Sequence, residues 1–143
     1  MSSKPFTFKS PLPPSELFFS SMVHTAQLST LEEMQLQLLS KKSDLSPDDL
    51  LGQKVQVDIE LRDGSKRHIG GYVTRFGIGV HQGKYFGYQA VVRPWLWFLT
   101  RTNDCRIFQD LSVPDIIKTV FDDHGGLAEF EFKLSRSYRK RVY

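Results

Sequence analysis

The chain has 143 residues, which is enough for one domain with its own hydrophobic core. Hydrophobic residues make up 40% and charged residues 24% of the sequence, a balance typical of a soluble globular protein and not of a disordered one. No apolar run approaches the roughly 20 residues of a membrane-spanning helix, and the N-terminus lacks the pattern of a secretory signal. Because Cys105 is the only cysteine, no intrachain disulfide can form, and the sequence predicts a soluble cytoplasmic protein without a membrane anchor.

The net charge of +3 comes from the C-terminal tail. Residues 135–143 hold Arg136, Arg139, Lys140 and Arg141 and no acidic residue, and without these four the chain has 15 basic against 16 acidic residues. A nucleic-acid-binding domain usually spreads its positive charge over one face. The pattern therefore favours a solvated tail over a nucleic-acid partner.

Residues 1–15 are predicted to form an extended and partly disordered leader. They contain four of the seven prolines, and proline has no N–H group to offer to a sheet or a helix. The predicted domain covers residues 16–143, and its first strand or strand pair lies within 17–26.

Residues 31–40 are rich in good helix formers but carry the periodicity of a strand. Met34, Leu36 and Leu38 alternate with glutamines, which gives the two-residue period of a half-buried strand. Periodicity reflects burial more directly than residue propensity does, so a strand is predicted here.

A three-stranded meander is the clearest feature of the sequence. A strict alternation predicts a strand whose core residues are Val55, Val57, Ile59 and Leu61. Asp63-Gly64 follows, a dipeptide that tolerates the positive φ values of a tight hairpin turn. The return strand is predicted at 66–76, with a bulge or a close backbone approach at Gly70-Gly71, and the third strand at 84–92.

The last third of the chain contains the one long predicted helix. Before it, residues 93–99 form the most apolar stretch, in which Pro94 interrupts a ladder, and its two tryptophans face the same side if the segment is extended. Ser112 caps the helix, with Asp115 as its capping-box partner. Its apolar stripe, predicted to pack on the sheet, consists of Ile116, Ile117, Val120 and Phe121. Alternation at 129–134 predicts a last strand. About seven strands and one packed helix indicate a mainly β (α+β) fold, a small barrel or a sandwich-like domain.

The sequence predicts no catalytic site, no metal site and no cofactor, and therefore no enzyme. The four histidines are scattered without metal-ligand spacing, and no nucleophile motif occurs. Two roles are open to the aromatic residues around Trp95 and Trp97, the core of the barrel or a stacking platform for single-stranded nucleic acid. Their neighbours Leu96, Phe98 and Leu99 are apolar, which favours the core.

Several short motifs occur in a specific order from residue 16 to residue 143. In chain order they include Leu50-Leu51-Gly52-Gln53, Asp63-Gly64, Gly71-Tyr72-Val73-Thr74-Arg75-Phe76, Arg93-Pro94-Trp95-Leu96-Trp97, Cys105-Arg106-Ile107-Phe108-Gln109-Asp110 and Ser112-Val113-Pro114-Asp115. Each motif alone is weak, but their joint order resembles the N-terminal region of the VgrG family of type VI secretion spike proteins. The signature positions are Gly71, Tyr72, Val73, Arg93, Pro94, Trp95, Trp97, Arg106, Ile107, Phe108, Gln109 and Pro114.

The resemblance implies a structural role. VgrG proteins resemble the hub and spike proteins of contractile-phage baseplates, and the family implies trimers on top of a tube of Hcp-type rings. Its N-terminal region implies a tube-type barrel, and its partners include sister subunits and effector or adaptor proteins. The resemblance further implies assembly in the cytoplasm and secretion by the type VI apparatus without a signal peptide.

Family members continue through a central domain into a needle, so the chain is predicted to be an N-terminal fragment of a spike. The first alternative is a hub fragment of a contractile phage or phage-like particle. The alternative of a different class is a small nucleic-acid-binding barrel.

Overall fold

The computed structural model describes residues 5–143, which divide into two compact units. The first unit ends at Pro94 and the second is Trp95–Tyr143. The strands are β1 (Phe6–Lys9), β2 (Phe18–Thr25), β3 (Glu33–Ser40), β4 (Lys54–Glu60), β5 (Lys66–Ile78) and β6 (Phe86–Arg93), with a 3-10 turn at Pro47–Asp49. The helices are α1 (Leu96–Leu99) and α2 (Val113–Asp122). None of the helices formed by residues 5–143 has the length and hydrophobicity needed to cross a lipid bilayer.

The strands of the first unit form one antiparallel sheet in the order β1-β4-β5-β6-β3-β2. The sheet curls until its edge strands approach each other, and the ring centroids of Phe6 and Phe19 lie 5.5 Å apart. Within residues 5–143 no ladder joins β1 to β2, so the unit is an open half-barrel. The prediction of a mainly β fold is confirmed, whereas the described chain has six strands and not seven. The strand β1 comes from the segment predicted as a leader, and residues 1–4 of that segment lie outside the described residues.

The two-residue alternation predicted for β3 and β4 is confirmed. The largest buried side chains of these two strands are Met34, Leu36, Leu38, Val55 and Val57. Ile59 is partly buried against the core. Leu61 is 44% exposed because it lies beyond the end of β4, where the chain begins to turn, and its predicted core position is wrong.

The chain turns between β4 and β5 at Asp63-Gly64. Gly64 has a φ of 82°, a value that glycine adopts without steric cost. The N–H of Leu61 donates to the carbonyl of Ser65 at 2.8 Å, and Oδ1 of Asp63 accepts from the N–H of Ser65 at 2.9 Å. The dipeptide therefore closes the hairpin that aligns β4 with β5.

In the second unit, α2 begins as the sequence predicts. The N–H of Asp115 donates to Oγ of Ser112 at 3.4 Å, and the N–H of Ser112 donates to the Asp115 carboxylate at 3.2 Å. This reciprocal pair is the capping box. The helix itself is confirmed, and the packing of its stripe on the sheet stays a prediction.

One expectation for the second unit is wrong. The alternating segment 129–134 forms no strand. Its Phe130 packs edge-on against Phe121 at 4.9 Å, so the segment is held by aromatic contacts in place of a ladder. Residues 96–99 form a short helix after Pro94 ends the ladder of β6, so the condition under which the two tryptophans share a side is not met.

Candidate assembly surfaces

Gly71, Tyr72 and Val73 lie where β5 passes from its ladder with β4 to its ladder with β6. Tyr72 is paired with Lys54 on one side and with Arg93 on the other. A Cβ atom on Gly71 would lie 2.5 Å from the carbonyl oxygen of Arg93, so only glycine fits without a shift of the backbone. The buried Val73 lies immediately before a shift in the β5–β6 register. These three positions thus lie where β5 changes its partner strand.

Arg93 braces three strands. Its Nη1 donates to Oγ1 of Thr74 at 2.7 Å, and its Nη2 donates to Oε2 of Glu33 at 2.5 Å. The pKa of the Glu33 carboxyl is held below its usual value, first by a hydrogen bond from Gln35 and then by Arg93. These contacts join β6 to β5 and β3, so the guanidinium of Arg93 stabilises the sheet.

The signature tryptophans have different surroundings, although only one residue separates them. Nε1 of Trp95 donates to the carbonyl of Glu129 at 2.9 Å, and its ring lies edge-on to Phe121 at 4.7 Å. Trp97 instead contacts Phe98 and lies under the guanidinium of Arg101, 4.4 Å from the ring centroid. The two rings thus have different described partners.

In the motif around Arg106, the arginine pairs with two carboxylates, whereas the next residue, Ile107, is exposed. Nε of Arg106 donates to Asp104 at 2.5 Å and Nη1 donates to Asp123, beyond the end of α2. These carboxylates, Asp123 foremost, raise the pKa of the guanidinium further. Ile107 is 85% exposed, while Phe108 is half-buried and Gln109 is exposed. Pro114 lies in the first turn of α2, where its missing N–H costs nothing.

Apolar side chains of the second unit remain accessible. An aromatic row runs from Trp95 through Phe121 and Phe130 to Phe132, with the last two rings 5.5 Å apart. Phe132 is still 38% exposed, and no residue of α2 is buried. Apolar surface of this kind usually marks a site of protein association.

The first unit has an open apolar groove between its edge strands, which we call the edge groove. Its volume is about 830 Å³. The lining residues are Pro5, Phe6, Thr7, Phe8, Pro14, Leu17, Phe18, Phe19, Ser20, Ser21 and Met22. Unpaired strand edges and apolar walls favour the binding of an extended polypeptide over a polar small molecule.

Sequence reasoning missed the edge groove because residues 1–15 were interpreted as a leader. The usable signal was the alternation of Phe6 and Phe8 with Thr7 and Lys9, a short strand pattern between prolines.

Within residues 5–143, no three His, Cys, Asp or Glu side chains are grouped closely enough to hold a metal ion.

The amino-acid sequence has clear relatives. The family described as "Phage tail baseplate hub (GPD)" matches residues 25–143. The type VI secretion system spike protein VgrG1b of Pseudomonas aeruginosa is 46% identical over 134 residues, which is 94% of this chain and 18% of the relative. The spike protein VgrG3 of Vibrio cholerae is 30% identical over 110 residues, which is 76% of this chain and 11% of the relative. The chain therefore spans less than a fifth of the length of these curated relatives.

A solved structure shares the fold. It belongs to the E. coli c3393 protein, a component of the type VI secretion system with structural similarity to the T4 bacteriophage tail proteins gp27 and gp5. The TM-score is 0.79 at 22% sequence identity, over 95% of this chain and 37% of that one. The family match, the spike relatives and this fold agree. The chain belongs to the phage tail baseplate hub (GPD) family and is homologous to the VgrG spike proteins of type VI secretion systems.

Proposed function

We propose that the chain is a structural module at the base of a type VI secretion spike, where it docks onto the tube and helps deliver effectors. The observation that carries the proposal is the hub-family match over residues 25–143, together with the 46% identity to a VgrG spike protein. The contacts of the signature residues Gly71 and Arg93 support a structural role. Gly71 allows the close approach of β5 and β6, and Arg93 joins β6 to β5 and β3.

The proposed partners follow from this role. They are Hcp-type rings of the tube, sister VgrG subunits in a trimer, and effector or adaptor proteins. The accessible aromatic row of the second unit and the edge groove of the first unit each supply apolar surface for such contacts. The module needs no cofactor and catalyses no reaction, and it assembles in the cytoplasm before the type VI apparatus exports it.

A hub of a contractile phage or phage-like particle is the second candidate. The family description names a phage tail baseplate hub, and the solved structure shares its fold with phage tail proteins. The two candidates differ in the tube protein that the chain would contact. The 46% identity to spike proteins of secretion systems supports the first candidate.

Binding to purified tube rings tests the proposal. The chain, immobilised through a terminal tag, is expected to retain Hcp-type rings and to release them when the aromatic row is altered by Phe132→Asp. Because Phe132 is 38% exposed, this variant should keep its circular dichroism spectrum. A matched control is Glu131→Gln, an exposed neighbour outside the row. Retention of a contractile-phage tube protein in place of Hcp-type rings would favour the second candidate, and retention of neither would contradict both.

A further inference from the structure

The glycines of β5 differ in what their missing side chains make room for. A Cβ atom on Gly70 or Gly71 would lie 2.7 or 2.5 Å from a backbone carbonyl oxygen, so close packing requires glycine at both positions. A Cβ atom on Gly77 would meet no atom within 4 Å, and the φ of Gly77 lies outside the left-handed region. Neither packing nor backbone conformation therefore requires glycine at position 77. Its effect there is to leave an open notch in the face of the sheet that points away from the core.

We call this space the outer notch, and its volume is about 190 Å³. Its lining comes from two adjacent rows of residues paired across β5, β6 and β3. The rows are Gly77, Gln89 and Gln37, and Arg75, Val91 and Gln35. Pockets that enclose a small-molecule ligand measure about 300–1,000 Å³. The smaller outer notch suits a single side chain of a larger partner.

Arg75 is the uncompensated charge of the outer notch. Among residues 5–143, its guanidinium has no hydrogen-bond or ion-pair partner, and the lining of the notch includes no Asp or Glu. The acidic residue of β3, Glu33, already pairs with Arg93 at 2.5 Å. The side-chain amides of Gln37 and Gln89 also have no partner in the described part of the chain, and each amide can both donate and accept. The outer notch therefore presents one cation and two available amides.

We propose that the outer notch binds an Asp or Glu side chain presented by an extended segment of a partner protein. The guanidinium of Arg75 pairs with the carboxylate, and the amides of Gln37 and Gln89 hydrogen-bond to the carboxylate or to peptide groups beside it. An exposed ion pair alone is weak in water, so a free anion would gain little from Arg75. Peptide contacts along the glutamine row add the affinity that a free anion lacks, which selects a polypeptide. This inference does not depend on the proposed docking to a tube.

A random peptide library displayed on phage tests the proposal without an assumption about the residues that flank the acidic one. The library is panned against the immobilised full chain and depleted against Gly77→Val, whose added side chain fills the notch. Circular dichroism should show that Gly77→Val is folded, because the space at Gly77 is open and valine favours strands. Peptides that survive depletion are expected to share an Asp or Glu and to bind Gly77→Val at least tenfold more weakly than the native chain.

The charge of Arg75 needs its own test, because acidic peptides can also bind to the basic tail. Arg75→Gln should raise the dissociation constant of a selected peptide about fivefold, the upper range for a solvent-exposed ion pair. The matched control is Arg139→Gln, the same change at an exposed arginine of the tail, which should leave the dissociation constant unchanged. Arg75→Glu should in turn bind the same peptide more tightly when its acidic residue is replaced by lysine.

Four results would overturn the proposal. No peptide may survive depletion, or the survivors may share no acidic residue. Equal weakening by Arg75→Gln and Arg139→Gln would assign the binding to the tail. Free glutamate that binds as tightly as the selected peptides would assign the notch to a small anion and not to a polypeptide.

Discussion

Nζ of Lys9 lies 2.7 Å from Oδ2 of Asp58, so an ion pair with a buried carboxylate ties the edge strand β1 to β4. The other oxygen of Asp58 lies 2.6 Å from Nδ1 of His68 on β5 and also accepts a hydrogen bond from Gln56. One carboxylate thus links three strands. The alternation of β4 alone predicts that Asp58 is exposed. Asp58 is buried because β1, formed by the segment predicted as a leader, pairs with β4 beside it.

Asp58 should make stability depend on pH. The hydrogen bond with His68, followed by those from Lys9 and Gln56, holds the pKa of its carboxyl far below the ordinary value of 3.8. A group whose pKa is lower in the folded state adds stability above its unfolded pKa, and this stability is lost as the pH falls toward the folded-state value. We expect Asp58→Asn to lower the free energy of unfolding at pH 7 and to flatten its decline below about pH 4.

Urea unfolding at neutral and acidic pH measures this effect, with the exposed Asp48→Asn as the control. Equal stability of Asp58→Asn and the native chain at pH 7 would show that the carboxylate does not hold the strands together.

Gly71 and Gly77 provide a matched pair within β5. A Cβ on Gly71 would lie 2.5 Å from the carbonyl oxygen of Arg93, whereas a Cβ on Gly77 meets no atom within 4 Å. We expect Gly71→Ala to lower the melting temperature and Gly77→Ala to leave it unchanged or raise it slightly, because alanine restricts the unfolded chain. Equal melting temperatures for the two variants would refute the close approach of β5 and β6.

Val57 and Leu61 test which end of β4 lies in the core. Val57 is 0% exposed and Leu61 is 44% exposed. An unpaired charge in the core costs several kcal/mol against a total stability of about 5–15 kcal/mol, so Val57→Asp should unfold the first unit. Leu61→Asp should stay folded by circular dichroism. A folded Val57→Asp variant with an unchanged melting temperature would contradict the core position of Val57.

Local patterns were sufficient for most of the sheet but not for its edges. The alternation of Leu36 and Leu38 outweighed helix propensity because burial of one face decides a strand more strongly than intrinsic preference does. The strand β1 was missed because four residues between prolines carry little signal, and its stability depends on the distant Asp58. The alternation at 129–134 predicts a strand that does not form, because periodicity does not reveal whether a neighbouring strand exists to pair with it.

The resemblance identifies the signature positions, whereas their physical roles depend on contacts between residues that are distant in sequence. Nothing in the sequence shows that Arg93 contacts Glu33, which precedes it by 60 residues. The placement of Trp95 directly before α1 and of Trp97 within it likewise follows Pro94, which ends a ladder whose extent the sequence does not define.

Nucleic acid should bind only weakly, through the basic tail. Arg136, Arg139, Lys140 and Arg141 are exposed, and neutralising four phosphates of a single strand gives a log–log salt slope of only about −3. We expect fluorescence anisotropy with labelled single-stranded DNA to show binding that disappears with added salt and that Trp97→Ala does not alter. Salt-resistant binding that requires Trp95 or Trp97 would instead support the stacking platform.

Electron microscopy of polymerised Hcp-type tubes mixed with the gold-labelled chain tests the central claim most directly. A module at the base of a spike must contact the terminal ring of the tube. We expect gold at the tube ends, lost with Phe132→Asp and retained with Glu131→Gln. Gold distributed along the tube walls, or absent from the tubes while the chain remains folded, would contradict it.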